Sequence, residues 1–320
     1  MTTWSTRGIP LLGNDFPMPL ALPFTMQQAQ MAGVTRQQLR GLVSTGLVRR
    51  MVKGVYVAAQ TPDSLLLRGR ALRLAVPEHI VVTDWTACWF HTGYDRPGSH
   101  REEPEVTLFR QAGHDRLRNG LCRSGQRTFR PEDVWEVDGL QVTSPLRTAW
   151  DLGRLAHRDR AIGALDALLR TGTFSHDELL LDIDRFKGMR GVVQLRELAP
   201  LADARAESPT ESTLRLRWLD LSSLPRPTPQ ISITVGDIEV YRVDLGVEDL
   251  RYGCEYDGAE FHEDREWDAA RRQDLLQRFT WDVDGVRRDN VWGPRRDVEQ
   301  ILIIGIDRAR KRLGRPTYLL

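Results

Sequence analysis

The chain has 320 residues, with 45 Lys and Arg against 44 Asp and Glu and a formal net charge of +1 at pH 7. It therefore lacks the overall basic field that many nucleic-acid binders carry, and any DNA contact has to come from local patches. Charged residues make up 28% and hydrophobic ones 41%, the balance of a water-soluble chain with room for two or three domains. No apolar run reaches bilayer-spanning length and no basic-then-apolar leader opens the chain, which points to the cytoplasm.

Cys88, Cys122 and Cys254 are isolated, so neither a disulfide framework nor a zinc site is supported. Lysine occurs only at 53, 187 and 311. An arginine-dominated basic set reflects codon bias as readily as a partner, and carries no functional argument alone.

Phe24 to Gly33 reads as a short helix ending in Gly. Val34 to Val43 reads as a second, with Thr35 as its cap and Leu39, Leu42 and Val43 inward. Leu47 to Val57 then alternates through a Lys53-Gly54 turn, the form of a two-stranded wing. In a helix-turn-helix with a wing, the second helix enters the major groove and wing cations touch phosphates. Arg36, Gln37, Arg40, Arg49, Arg50 and Lys53 are the expected DNA-contacting set, the alternative being a purely structural or dimerisation module.

From Ser64 to Ala204 the pattern predicts an amphipathic helix over 65–75 and a strand passing into a helix over 81–89. Short strands are expected over 106–109, 127–130 and 137–143, and a helix starts at Ser144-Pro145. Arg147 and Asp151 are four apart, the spacing of a helix ion pair, which is favoured over a catalytic role. His91, His114, His157 and His176 lack metal-ligand spacing. Residues 202–209 read as a linker.

Beyond it come a helix start at Ser208 or Thr210 with Glu211 in its first turn, and a strand over Pro229–Val235. Two further strands follow, Tyr241-Arg-Val-Asp244-Leu and Tyr252-Gly-Cys-Glu255-Tyr-Asp257. Strict alternation sets Val243 and Leu245 on one face and Asp244 on the other, with Glu255 and Asp257 opposite Cys254 and Tyr256. Clustered acids on one face repel unless a cation sits among them. Hard oxygen ligands suit Mg²⁺ or Mn²⁺, an ion able to activate water beside a phosphodiester. The remaining order is Phe261-His262, a polar helix with Asp268, Arg271, Arg272, Asp274 and Arg278, a strand over 281–288 and a last helix over 296–313.

Residues 207–313 resemble the PD-(D/E)XK nucleases, in the branch similar to very-short-patch-repair endonucleases. The resemblance rests on Glu211, Val243-Asp244-Leu245, Glu255-Tyr-Asp257-Gly258 with His262, and Asp268, Arg271, Leu275, Trp281 and Val283. It implies catalytic roles for Asp244, Glu255, Asp257, Glu211 and His262, with Mg²⁺ or Mn²⁺ held by Asp244, Glu255 and Glu211. The lysine that names the superfamily falls at Asp257, and the zinc ligands of the repair enzymes are absent.

Residues 24–60 resemble the winged helix of AbiEi-type antitoxins, through Gly33-Val34, Leu39, Leu42, Gly46, Met51 and Gly54-Val55-Tyr56. The phrase "VTSPLRTAWDLGR" is similar to that group as well. This resemblance implies DNA and a cognate toxin as partners. Walker, G-x-S-x-G, H-E-x-x-H and solenoid patterns are absent.

The expected architecture is α+β: a winged helix over 20–60, a mixed α/β middle domain of unassigned role over 61–204, and a restriction-endonuclease-like domain with an α/β core over 205–320. The leading expectation is a metal-dependent DNA endonuclease guided by the winged helix. The alternative is a non-catalytic DNA-binding regulator of the type IV antitoxin kind, with a degenerate nuclease domain.

Overall fold

A computed structural model describes residues 11–76, 80–94, 106–111, 122–137, 139–257, 265–294 and 296–317. The fold is α+β. The chain divides into two compact units, Met1–Leu152 with Thr171–Asp184, and Gly153–Arg170 with Arg185–Leu320.

The first unit opens with β1 (Phe24–Thr25), α1 (Met26–Met31), α2 (Arg36–Ser44), β2 (Val48–Val52) and β3 (Val55–Ala58). Both helices start at capping boxes, Thr25 with Gln28 and Thr35 with Gln38, in which two orphan amides are satisfied reciprocally. Phe24 and Thr25, expected as helix, pair with Tyr56 and Val55 as a strand. The helix begins only after Thr25 caps it. One face of this sheet packs Phe24, Val48 and Tyr56 on Leu39 and Leu42.

Val52, Val55 and Val57 share a second core with Leu67 and Leu72 of α3 (Leu65–Ala75), Val82 of β4 (Val81–Val82) and Phe90 of α4 (Asp84–Thr92). That core also takes Leu108 of β5 (Val106–Gln111) and Val142 of β8 (Leu140–Thr143), in a sheet ordered β6-β5-β4-β8-β7 with β6 (Cys122–Arg127) and β7 (Val134–Val137). The strand expected over 127–130 lies earlier, pairing parallel to β5. The strand expected over 137–143 is instead the end of a hairpin, because Gly139 turns the chain at φ 73°, a conformation cheap for glycine.

α5 (Pro145–Leu155) begins against this sheet. Arg147 is buried between Asp151 at 2.8 Å and Asp133, so the expected helix pair forms as part of a larger network, and Arg127 bridges Asp84 and Asp151 at 2.7 and 2.9 Å. His91 donates from Nε2 to the Thr143 carbonyl at 2.7 Å, and burial lowers its pKa to about 4. Its ring stays neutral near pH 7. α7 (His176–Leu181) receives the Trp150 indole N–H at Leu179 O, 2.9 Å.

The second unit contains α6 (Arg158–Leu169), α8 (Val192–Leu198) and α9 (Pro209–Asp220), then β9 (Thr228–Val235), β10 (Ile238–Val247), β11 (Tyr252–Tyr256), α10 (Arg265–Phe279), β12 (Asp282–Val286), α11 (Arg288–Val291) and α12 (Val298–Arg312). The sheet order is β12-β11-β10-β9, antiparallel except where β12 joins β11. Leu214, Trp218, Leu302 and Ile306 of α9 and α12 form one core with Leu245, Tyr252 and Cys254, while Leu275 of α10 joins Val243, Ile231 and Val283 in another. Cys88 and Cys254 are buried thiols outside any disulfide.

α6 and α9 are joined by Asp166–Arg215 at 2.6 Å, Asp159–Arg217, and the more exposed Arg158–Asp220 at 2.7 Å. Asp166 and Arg215 are 1% and 5% exposed, so removing one partner strands a buried charge. Arg215→Ala should cost about 3–5 kcal/mol, and Arg158→Ala no more than about 1 kcal/mol, in urea unfolding. Equal losses would show that the buried pair does not hold α9.

Candidate nucleic-acid interface and carboxylate cluster

On α2 the inward positions Leu39 and Leu42 leave Arg36, Gln37 and Arg40 exposed, and Lys53 is exposed at the β2–β3 turn. The two wing arginines are already engaged. Arg49 donates from Nη2 to the Thr61 carbonyl at 3.1 Å, and Arg50 lies over the Tyr56 ring at 5.3 Å. β3 is buried along its whole length, which restricts the reach of the wing to its turn and to the outer edge of β2.

In the second unit, Ser208 caps α9 by accepting the Glu211 N–H at 3.2 Å. Glu211 is 9% exposed, and its Oε2 accepts from the Glu207 N–H at 3.0 Å and from Gln230 Nε2 at 2.9 Å. Gln230 holds a left-handed φ of 54°, uncommon for a residue with a side chain. It stands between Pro229 and Ile231, the partners of Leu245 and Val243. Here the expected alternation fails: Val243 packs towards α10 and Leu245 towards α9 and α12. The irregular backbone beside Gln230 divides their two side chains between cores. The hairpin is accordingly not apolar on one face and acidic on the other; helices cover both.

Asp244 Oδ2 accepts the Tyr256 N–H at 2.9 Å. Burial raises its pKa from 3.8 to about 7; the Tyr256 hydrogen bond opposes this, and the Glu211 and Glu255 carboxylates add to it. These three predicted acids are thus brought close enough to repel. Glu255, 5% exposed, receives Arg271 Nη1 at 3.1 Å, and Asp257 receives Arg272 Nη2 at 2.5 Å. His262 lies outside the described residues, as does His114.

Asp244 and Arg271 help line a cleft of about 610 Å³ with Glu207, Gln230, Tyr241 and Asp274. The Tyr241 hydroxyl donates to Asp274 at 2.6 Å, and Arg271 stands over its ring at 5.6 Å. Among the described residues, no three His, Cys, Asp or Glu side chains gather as a metal ion requires. In this arrangement the acids accept from guanidinium and amide donors. Arg271 and Arg272 were not among the predicted site residues. The signal available was electrostatic: acids crowded on adjacent strands call for cations, and the following helix carries two in succession.

Two Mycobacterium tuberculosis proteins, called uncharacterized protein Rv2248 and uncharacterized protein MT2308 in two strains, are each 37% identical to this chain over 235 residues, covering 72% of it and 80% of theirs. The chain belongs to their family. Residues 80–201 also match the model of the AbiEi antitoxin C-terminal domain. In this family member the matched span contains the Arg127–Arg147 ion network and runs through α6 and α8. No helix among the described residues is long and apolar enough to cross a membrane.

The raised Asp244 pKa has a consequence for stability. Between about pH 4 and pH 7 the folded chain holds this proton more tightly than the unfolded chain, so the Asp244 contribution falls as pH rises through that window and is constant above it. Asp244→Asn cannot ionise. Its stability relative to wild type, from denaturant titrations, should improve across the same window and then level off. A pH-independent difference would rule out the raised value.

Proposed function

We propose that the protein is a DNA-binding regulator of the antitoxin kind, its N-terminal helix-turn-helix contacting DNA and its antitoxin-like region engaging a cognate toxin. The observation that carries this reading is the match of residues 80–201 to the AbiEi antitoxin C-terminal domain, in a chain whose preceding helix pair exposes Arg36, Gln37 and Arg40 with Lys53 at the wing turn. Cations on a second helix and a wing turn suit the major groove and its flanking phosphates. The near-neutral net charge makes this small set the main electrostatic term.

The test is binding of the full-length chain to duplex DNA from upstream of its own reading frame, across a salt series. Triple substitution of Arg36, Arg40 and Lys53 by Ala should reduce the salt slope by about three units, one for each phosphate no longer neutralised. Arg49→Ala should change it less, since its guanidinium already serves Thr61. Unchanged affinity and slope in the triple variant would make this surface structural.

A second reading, a metal-dependent endonuclease, has one observation in its favour: Glu211, Asp244 and Glu255 come near one another from α9, β10 and β11. It requires Mg²⁺ or Mn²⁺ at those carboxylates and DNA as substrate, with Asp257 and His262 beside them. Cleavage of plasmid DNA should then need either ion, stop with chelator and fall on the order of a hundredfold in Glu255→Gln. No cleavage of single-stranded, duplex or branched DNA would leave the regulator reading alone.

A further inference from the structure

The acids of the C-terminal sheet already have cations, and the fold makes room for them. Glu255 and Asp257 follow one another along β11 and its end, and both turn to α10. Arg271 reaches Glu255 at 3.1 Å and also donates to the Arg242 carbonyl at 3.3 Å, with the Tyr241 ring beneath it. Arg272 reaches Asp257, and its Nε stands 3.9 Å from Glu255. Both arginine side chains are about three-quarters buried, with exposures of 25% and 21%.

Room for the second pair depends on Gly285, which faces Glu255 across the β11–β12 pairing. A methyl group there would stand 2.2 Å from Arg272 Nη2 and 2.7 Å from Asp257 Oδ2. The missing side chain is the space that the guanidinium fills. Burying a carboxylate is tolerable only with a partner of this kind, and arginine suits it, being always charged and able to serve several acceptors at once.

We propose that Arg271 and Arg272 of α10 are the built-in counter-cations of Glu255, Asp257 and the adjoining Asp244, so that guanidinium groups rather than a divalent ion hold the cluster together. This deepens the regulator reading and rests on its premise that the C-terminal domain is not a working nuclease. The cluster then fixes α10 against the sheet, and divalent metal has no place until the arginines leave.

The test uses the full-length chain and Mn²⁺ alone as probe, by isothermal titration and by thermal melting with and without the ion. Wild type should show neither saturable heat nor a metal-dependent melting shift. Arg271→Gln/Arg272→Gln, folded by circular dichroism, should gain Mn²⁺ binding with a raised melting temperature, and adding Asp244→Asn should abolish the gain. Arg271→Lys/Arg272→Lys keeps both charges and should bind as little as wild type. Saturable binding by wild type that Asp244→Asn removes would overturn the proposal, even if the glutamine variant does not fold. So would a folded glutamine variant that gains no binding. DNA binding through α2 is measured separately and can succeed or fail whichever way the metal titration falls.

Discussion

The buried ion pairs between α6 and α9 govern what the rest of the second unit can do. Asp159 and Asp166 are buried carboxylates on α6, and they are tolerable there because Arg217 and Arg215 face them. The helices also come close where a side chain at Gly163 would stand 3.1 Å from Pro209, the first residue of α9. Charge pairing and close approach together set how α9 lies on α6, while the Ser208 cap sets where it begins. The start of α9 in turn sets Glu211 against the Glu207 amide and Gln230, whose unusual backbone accompanies the break in alternation along β10. The pairs thus connect a helix within the antitoxin-matched span to the geometry around Asp244.

The first unit is governed by a different constraint. Its small N-terminal sheet is covered on both faces, by α1 and α2 on one and by the core shared with α3, α4 and the five-stranded sheet on the other. A wing built this way is anchored along both strands, and its exposed cations lie on α2, at the turn and at Arg50 of β2. The ion network around Arg147 has another character: nearly every member is shielded from water and paired, which suits fixing a strand–helix junction better than meeting a charged partner.

Charge balance also explains why crowded acids persist in the C-terminal sheet. Like charges on neighbouring strands cost free energy, and here the cost is offset by two arginines from one helix. Asp244 accepts a backbone amide rather than forming an ion pair among the described residues; burial raises its proton affinity, against the pull of that hydrogen bond and of the nearby Arg271 charge. The cleft beside it is lined by acids, an aromatic ring and one of those arginines.

Much of this organisation was legible in the sequence. The caps at Thr35 and Ser208, the apolar spacing of α2, and the strands bearing Asp244 and Glu255 are local patterns, set by backbone hydrogen-bonding needs and side-chain periodicity. The nearness of Glu211 to Asp244 and Glu255 was what the nuclease resemblance implied. What sequence could not decide was whatever depends on a neighbour distant along the chain. Phe24 is a strand residue because β3 lies beside it; Val243 and Leu245 part company because helices cover both faces of the sheet. The acids are matched by Arg271 and Arg272 because α10 folds back over β11 and Gly285 leaves the space. Local pattern chose the residues and their elements, while the tertiary structure chose their partners, because a charge's partner is the group that packing places within a few ångströms of it.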